Sequence, residues 1–367
     1  MRQQHSRKRD GITIGLDLGD RRHRFCVLGD NGQVLEEGIV GNSRAALSEL
    51  RGRYPEGLMV MEAGCHSPWV SRYLKEAGCE VVVSNPRKTR AIYQHERKSD
   101  RRDALMLARI ARMEPALLYP VRHGSEEAQQ DLLRIKLRDS LVRARVGLIN
   151  SLRFTLKSLG YAMANASTER FHKAIKSALP ESIVQMIAPS VQSIEELSMQ
   201  IKLLDREILT LAPTASIRIQ LGWEQIPGVG PITALYFVLK IEDPARFKRV
   251  RDVGAFIGLC PRRDQSGESD PQLRISKRGD AYLRRLLVSS AQYILGPFAP
   301  PTALRQYGLA LAAGATARAK KRAVVAVARK LAVLLLTLWK SKSAYQAFPR
   351  QCEKMRTLDL ERLRCIA

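Results

Sequence analysis

The 367-residue chain sets 61 Lys and Arg against 36 Asp and Glu, a formal charge of +25 with a sequence pI near 10.2. A hydrophobic content of 45% excludes a disordered protein, and the length asks for two or three domains. So basic a chain points to a polyanion, of which nucleic acid is the commonest, against a merely basic or membrane-facing surface. The excess is clustered. Between Asp280 and Glu353 there is no acidic residue but twelve Lys and Arg, densest at Arg318, Lys320, Lys321, Arg322, Arg329 and Lys330. A second basic stretch holds Arg87, Lys88, Arg90, Arg97, Lys98, Arg101 and Arg102, so a long nucleic-acid path is expected. The six cysteines show no C-x-x-C pair and no zinc spacing, and read as reduced thiols. The basic start MRQQHSRKRDG lacks a following apolar region, and the run Leu331–Trp339 is short of the ~20 residues a bilayer needs. A soluble, cytoplasmic, nucleoid-associated protein with no membrane partner is expected.

Short runs alternate from the start. Ile12–Leu18 and Arg24–Leu28 read as strands, and Asp30-Asn31-Gly32 turns the chain into a third, Val34–Val40. Ser43–Tyr54 reads as a helix, Leu58–Glu62 as a buried strand, and Pro68–Ala77 as a helix stopped by Gly78. Glu80–Ser84 is a further strand and Asp100–Arg112 a helix ended by Pro115. This is a mixed α/β layout.

The middle is helical. Glu126 to Leu159 contains no Pro and one Gly, and after Pro189 the residues Val191, Ile194, Leu197, Ile201, Leu204, Ile208 and Leu211 approach a heptad seam. A coiled-coil arm that dimerises and a helical hairpin packed on itself both satisfy it. After Pro213 the segment Ile226-Pro227-Gly228-Val229-Gly230-Pro231 looks like a helix-hairpin-helix turn. Gly228 and Gly230 would let backbone N–H groups approach a DNA phosphate, although any tight turn uses such residues.

The acids carry the chemistry. Asp17 lies in the first strand, Glu62 closes the buried strand LMVME, and Asp100 and Asp103 open a helix at i and i+3, on one face. Four such groups repel unless cations neutralise them, and a pair of divalent ions would also clamp the attacking and leaving oxygens of a phosphodiester. Oxygen ligands favour Mg²⁺ or Mn²⁺. Taken singly, Asp17 also suits a phosphate loop of the sugar-kinase and actin type, and the D-x-x-D pair suits a helix dipole. The ordered set is more selective, and no second nucleotide lobe is evident.

ITIGLDLGD, VMEAG, SNPRKTR and KSDRRDALMLA resemble the N-terminal domain of the DEDD transposases of the insertion sequence 110 family, with its 1111 subgroup. IPGVGPITALYFVLKI, DVGAFIGLCPRRDQSG and RISKRGDAYLRRLLV resemble that family's C-terminal transposase domain. The resemblance spans both globular parts. It implies a ribonuclease H-like (RuvC-like) N-terminal domain, a helical coiled-coil arm and a mainly helical C-terminal domain, an α/β plus α protein. It also implies a nucleophilic serine in CPRRDQSG, which here is Ser266. Arg262, Arg263, Arg274, Lys277 and Arg278 stand near it as phosphate-holding residues. Ser269, Ser276 and Ser99 are the alternatives, since a Ser-Gly pair is ordinarily a loop. A dimer or tetramer whose active site is completed across subunits, and a structured bridge RNA that pairs with donor and target DNA, are implied as well.

The expected domains are 1–122 (ribonuclease H-like), 123–220 (arm), 221–310 (serine domain) and 311–367 (basic helical tail). The rival readings are a Holliday-junction resolvase using only the four acids, and a nucleic-acid scaffold without catalysis.

Overall fold

The computed structural model describes residues 11–93, 100–161, 166–211, 222–271, 273–314 and 316–348. It divides into two compact units, Met1–Gly124 and Ser125–Ala367. Ser99, Arg97, Lys98, Cys352 and Cys365 lie outside the described residues.

The first unit is a five-stranded sheet in the order β3-β2-β1-β4-β5. Its strands are β1 (Thr13–Asp17), β2 (Arg22–Leu28), β3 (Val34–Gly41), β4 (Leu58–Glu62) and β5 (Val81–Ser84). β1, β4 and β5 are parallel, while β2 and β3 return antiparallel through the glycine turn at residues 29–33, where Gly32 adopts φ +78°. β4 is covered on both faces, and Leu58 to Met61 are fully buried, as an uninterrupted apolar run requires. One face packs Ile14, Leu16, Phe25, Val27, Met59 and Met61 against α1 (Arg44–Arg53) and α2 (Ser67–Glu76). The other face packs on α4 (Asp100–Met113) through Leu107, Ile110 and Ala111.

Each expected strand and helix of this unit is present, with ends shifted by one or two residues. One helix was not expected: α3 (Pro86–Tyr93), lying in the basic stretch. Asn85 accepts from the Arg87 N–H at 3.2 Å and Pro86 fills the first helical position, so Asn-Pro was its start signal.

α4 approaches β1 closely enough that only glycine fits at position 15. A Cβ there would lie 2.0 Å from the carbonyl oxygen of Ala104 and 2.9 Å from the nitrogen of Ala108, both backbone atoms. Gly15→Ala is therefore expected to push α4 off the sheet and cost about 1–3 kcal/mol. A urea titration reads this directly, and an unchanged midpoint would contradict the close contact.

The second unit is helical. α5 (Glu126–Ser158) and α7 (Glu181–Leu209) form an antiparallel hairpin with α6 (Phe171–Ala178) near its tip. Pro189 lies inside α7 and does not precede it. The heptad-like residues Val191, Ile194, Ile201 and Ile208 are buried, packed on α5 within the same chain. The seam residues thus meet α5 of the same chain, as the hairpin reading expects.

The hairpin's base, with Ala128, Ile135 and Ile208, joins one large core. That core also takes in α8 (Pro231–Ile241), α9 (Asp252–Ile257), α10 (Ala281–Leu295), α11 (Ala303–Ala312) and α12 (Ala317–Ser341). Here the basic-tail expectation needs correction. Val327, Leu331 and Leu335 of α12 are fully buried in this core, where α12 packs on α9, α10 and α11, so residues 317–341 are a central element, and boundaries at 220 and 310 cut through one core. Arg318, Lys320, Lys321 and Arg322 are exposed on the first turns of α12, and Lys330 is exposed further along it. Among the described residues, no helix is long and apolar enough to cross a membrane.

Candidate active site

Side chains alternate along a strand, so Asp17 points to the same sheet face as Gly15, the face covered by α4. Glu62 shares that face with Val60, which packs on Leu107 and Ile110 of α4. The parallel register Leu16↔Met61 brings Asp17 beside Glu62 at the carboxyl ends of β1 and β4. Asp100 and Asp103 occupy the first turn of α4, and Asp103 adjoins the Ala104 carbonyl that lies over Gly15. The four acids are thus brought to one end of one sheet face. Among the described residues, no three His, Cys, Asp or Glu are drawn together tightly enough to form a ready metal cage. The donor set is all carboxylate, which suits a hard divalent cation, and four like charges have reason to stay apart until one arrives.

Sequence reading passed over a polar group at the same strand ends, on the opposite face. His66 places Nε2 2.9 Å from an Asp20 carboxylate oxygen, while its Nδ1 receives the Trp69 indole N–H at 3.4 Å. Indole nitrogen is only a donor, so Nδ1 is the acceptor and Nε2 carries the proton toward Asp20. His23 lies fully buried beside it, close to Asn42 and Gly19. Burial, then the nearby His66, hold its pKa below the ordinary histidine value. The signal was the second acid of DLGD.

Ser266 belongs to the second unit. It sits at the exposed tip of a two-stranded loop that leaves α9 at Gly258 and returns to α10 at Asp280. Pro261 pairs with Ile275, and the Arg262 N–H donates to the Arg274 carbonyl at 2.9 Å. At the tip Ser266 and Ser269 exchange both backbone hydrogen bonds, at 3.1 and 3.0 Å, closing a turn on Gly267 (φ +56°) and Glu268. Ser269 is as exposed as Ser266, and Ser276 is lower on the stem. Arg262, Arg263, Arg274, Lys277 and Arg278 are all exposed along this loop, with Arg263 paired to Asp270 at 3.4 Å.

The loop returns onto a partly buried acid. Asp280 caps α10, accepting from the N–H groups of Tyr282 and Leu283, both at 2.9 Å. The Tyr236 hydroxyl donates to it at 3.1 Å and the Lys240 ammonium lies 3.3 Å away. Burial opposes the Asp280 charge, but the Leu283 N–H, Lys240 and Tyr236 together outweigh it and hold the pKa below the usual aspartate value. Burial, with the adjacent Asp280, raises the Tyr236 phenol. A lowered folded pKa means that Asp280 stabilises the fold fully above its unfolded pKa, and that this contribution fades as pH falls through the lowered value. Asp280→Ala should cost about 2–4 kcal/mol at pH 7, from the lost cap and the stranded Tyr236 and Lys240. It should also flatten the acid limb of the stability curve. Equal urea midpoints for the two proteins would refute this.

The remaining nucleic-acid candidates fall in several environments. Arg87 and Lys88 are exposed on α3, with Lys88 stacked 4.0 Å over the Tyr119 ring. Arg101 is paired with Glu37 on β3 at 2.6 Å, while Arg102 is exposed. Lys320, Lys321 and Arg322 are exposed at the start of α12. Of the expected helix-hairpin-helix turn, the helix that follows it is α8 (Pro231–Ile241), while residues 212–221 before it lie outside the described residues. Among the described residues a 3-10 turn, Trp223–Gln225, precedes Gly228, and a Cβ at Gly228 would lie 2.7 Å from the Ser290 carbonyl of α10. The glycine at 228 serves packing between helices. Gly230 is open, at the N-cap of α8.

With both sites described, the comparisons become specific. Residues 14–160 match a family model described as a transposase, of the DEDD type, and residues 223–307 match the transposase IS116/IS110/IS902 family. The transposase for insertion sequence element IS1111A of Coxiella burnetii is 30% identical over 347 residues, 92% of each chain. The chain belongs to the IS110 family of transposases. The transposase for insertion sequence element IS1328 of Yersinia enterocolitica is 29% identical, covering 76% of this chain and 82% of its own. A probable family 20 transposase of Pseudomonas aeruginosa is 28% identical over 91% and 98%. A Thermus thermophilus RuvC structure aligns with 28% of this chain at 19% identity and a TM-score of 0.23, a likeness too slight to establish a fold.

Proposed function

We propose that this transposase cleaves and rejoins DNA strands with two chemical groups, the carboxylates Asp17, Glu62, Asp100 and Asp103, and the hydroxyl of Ser266. One observation carries the reading. The first family match contains the carboxylate end of the sheet and the second contains the exposed loop bearing Ser266, in the same chain and order. The sheet order, with β2 and β3 returning antiparallel beside parallel β1, β4 and β5, supports a ribonuclease H-like first unit.

Asp17, Glu62, Asp100 and Asp103 would hold Mg²⁺ or Mn²⁺, which supplies charge stabilisation at the scissile phosphate. The Ser266 Oγ attacks phosphorus and gives up its proton. The phosphodiester bond to the leaving strand breaks, and that strand's oxygen takes up a proton. Reversal on a new strand end reseals the backbone without an external energy source. Arg262, Arg263 and Arg274, on the same loop, hold the phosphate oxygens. Donor and target DNA, a structured bridge RNA from the element's flank, and a dimer or tetramer complete the reading, and the charge of +25 suits both polyanions.

The test is recombination between plasmids carrying the element's ends and a target, with purified protein, Mg²⁺ and RNA transcribed from the element's flank. Joined products that need all three are expected. A Glu62→Ala protein mixed with a Ser266→Ala protein should regain some activity if the two groups meet across subunits. Hydrolysed ends alone would favour a resolvase, and binding without any cleavage a scaffold.

A further inference from the structure

The Ser266 loop is open at its tip but locked at its neck. Gly258 adopts φ +80°, and a Cβ there would lie 1.9 Å from the Arg278 carbonyl oxygen. Gly279 adopts φ +83°, and its Cβ would lie 2.0 Å from the Phe256 carbonyl oxygen. The two backbones therefore cross in contact, and the Lys277 N–H donates to the Gly258 carbonyl at 3.1 Å. Across this crossing reaches Arg284, one turn into α10. Its Nη1 lies 2.8 Å from the Ile257 carbonyl, 3.1 Å from that of Arg278 and 3.4 Å from that of Asp280. Ile257 ends α9, so its carbonyl is one that the helix itself leaves without a partner. A single cationic nitrogen thus ties the outgoing and returning limbs of the loop together, and the partly buried Asp280 network fixes the helix that carries it.

We infer that Arg284 is a positioning residue for Ser266: by pinning both limbs at the neck it makes residues 258–279 a stiff arm that delivers the serine at a set distance from its base. The inference rests on Ser266 being the nucleophile. A loop held only by its stem would spread the Ser266 Oγ over many positions. Orientation contributes strongly to displacement at phosphorus, where a misplacement of about 1 Å is worth on the order of 10²-fold in rate. Arginine suits the role because its charge stays on at every working pH and its planar fork presents donors to several carbonyls at once. Arg285, the next residue, does something else: it pairs with Asp139 of α5 at 2.5 Å and stacks over Tyr282.

The experiment uses the full chain, a duplex from the element's end and RNA from its flank, and follows covalent protein–DNA adduct by denaturing gel. Arg284→Ala should slow adduct formation by on the order of 10²-fold while duplex affinity stays within about twofold. Hydrogen exchange should rise in residues 258–279 and not elsewhere in the second unit. Arg284→Lys, which keeps the charge and one or two of the three contacts, should recover part of the rate. Gly279→Ala forces the Phe256 carbonyl away from the crossing while leaving the Arg284 side chain in the protein, and should reproduce both changes, so the idea is tested by a second route. Wild-type adduct rates in Arg284→Ala or Gly279→Ala, or unaltered exchange at the neck, would overturn it. If Ser266→Ala itself still formed the adduct, the nucleophile assignment would be at fault, a result separable from the exchange measurement on the neck.

Discussion

Replacing Asp17, Glu62, Asp100 or Asp103 by alanine is expected to abolish strand cleavage, with losses of 10³-fold or more (an order-of-magnitude figure for loss of electrostatic stabilisation at a developing charge). The folded state should persist. None of the four side chains is part of an apolar core, and Asp100 is exposed in the first turn of α4. Each variant should therefore still unfold cooperatively in urea while losing cleavage. That combination, activity lost without stability lost, separates a metal-binding role from a structural one. Asp100→Asn and Asp103→Asn sharpen the test, because asparagine keeps size and a helix-start preference but gives up the charge that a hard cation requires. The check is a cleavage assay on element-end DNA with Mg²⁺, Mn²⁺ or EDTA, alongside urea unfolding of each variant. Normal cleavage in EDTA, or by any of the alanine variants, would sink the assignment.

The two units were unequally legible in the sequence. In the first, local rules and tertiary demands agree. Glycine and Asp-Asn-Gly mark the turns, β4 is an unbroken apolar run because both its faces are covered, and the D-x-x-D of α4 opens a helix where a dipole welcomes acids. Gly15 was not legible, because its necessity comes from the backbone of α4, about ninety residues away. α3 was overlooked because its basic side chains drew the reading toward phosphate contacts, although Asn85-Pro86 was a sufficient start signal.

In the second unit charge masked periodicity. Ala323, Val327, Leu331, Leu335 and Leu338 step by four, four, four and three, a buried stripe on one face of α12. The Lys and Arg crowding its first turns gave the whole segment the look of a solvated tail. The heptad-like seam of α7 was visible, but its partner was not, since a stripe of that width packs equally well on a neighbouring helix or on a second chain. Pro189 lies within α7, upstream of that seam. Ser266 shows the limit of residue-level reading. A hydroxyl next to glycine in a polar loop looks like any turn, and the neck of that loop is built by Gly258, Gly279 and Arg284, residues whose contacts sequence spacing cannot reveal.

Ser266 is expected to become covalently joined to DNA. Rejoining strands needs the energy of the broken phosphodiester to be kept, and four carboxylates with a metal alone would direct water to the phosphorus and lose it. A serine ester keeps it, and the exposed tip gives the Ser266 Oγ free access to a backbone phosphate. An adduct should therefore survive denaturation, map by peptide sequencing to the segment containing Ser266, and vanish in Ser266→Ala. That variant should bind element-end DNA within about fivefold of the parent, because one neutral hydroxyl contributes no more than about 1 kcal/mol beside so many charges. Ser269 faces Ser266 across a two-residue turn with matching backbone bonds, so it is the nearest competitor, and Ser269→Ala serves as the control. Loss of the adduct in Ser269→Ala with its retention in Ser266→Ala would move the nucleophile three residues along the same loop and leave the chemistry intact. Normal cleavage by both variants, giving hydrolysed ends with no adduct in any digest, would remove serine chemistry altogether and return the protein to a hydrolytic carboxylate enzyme.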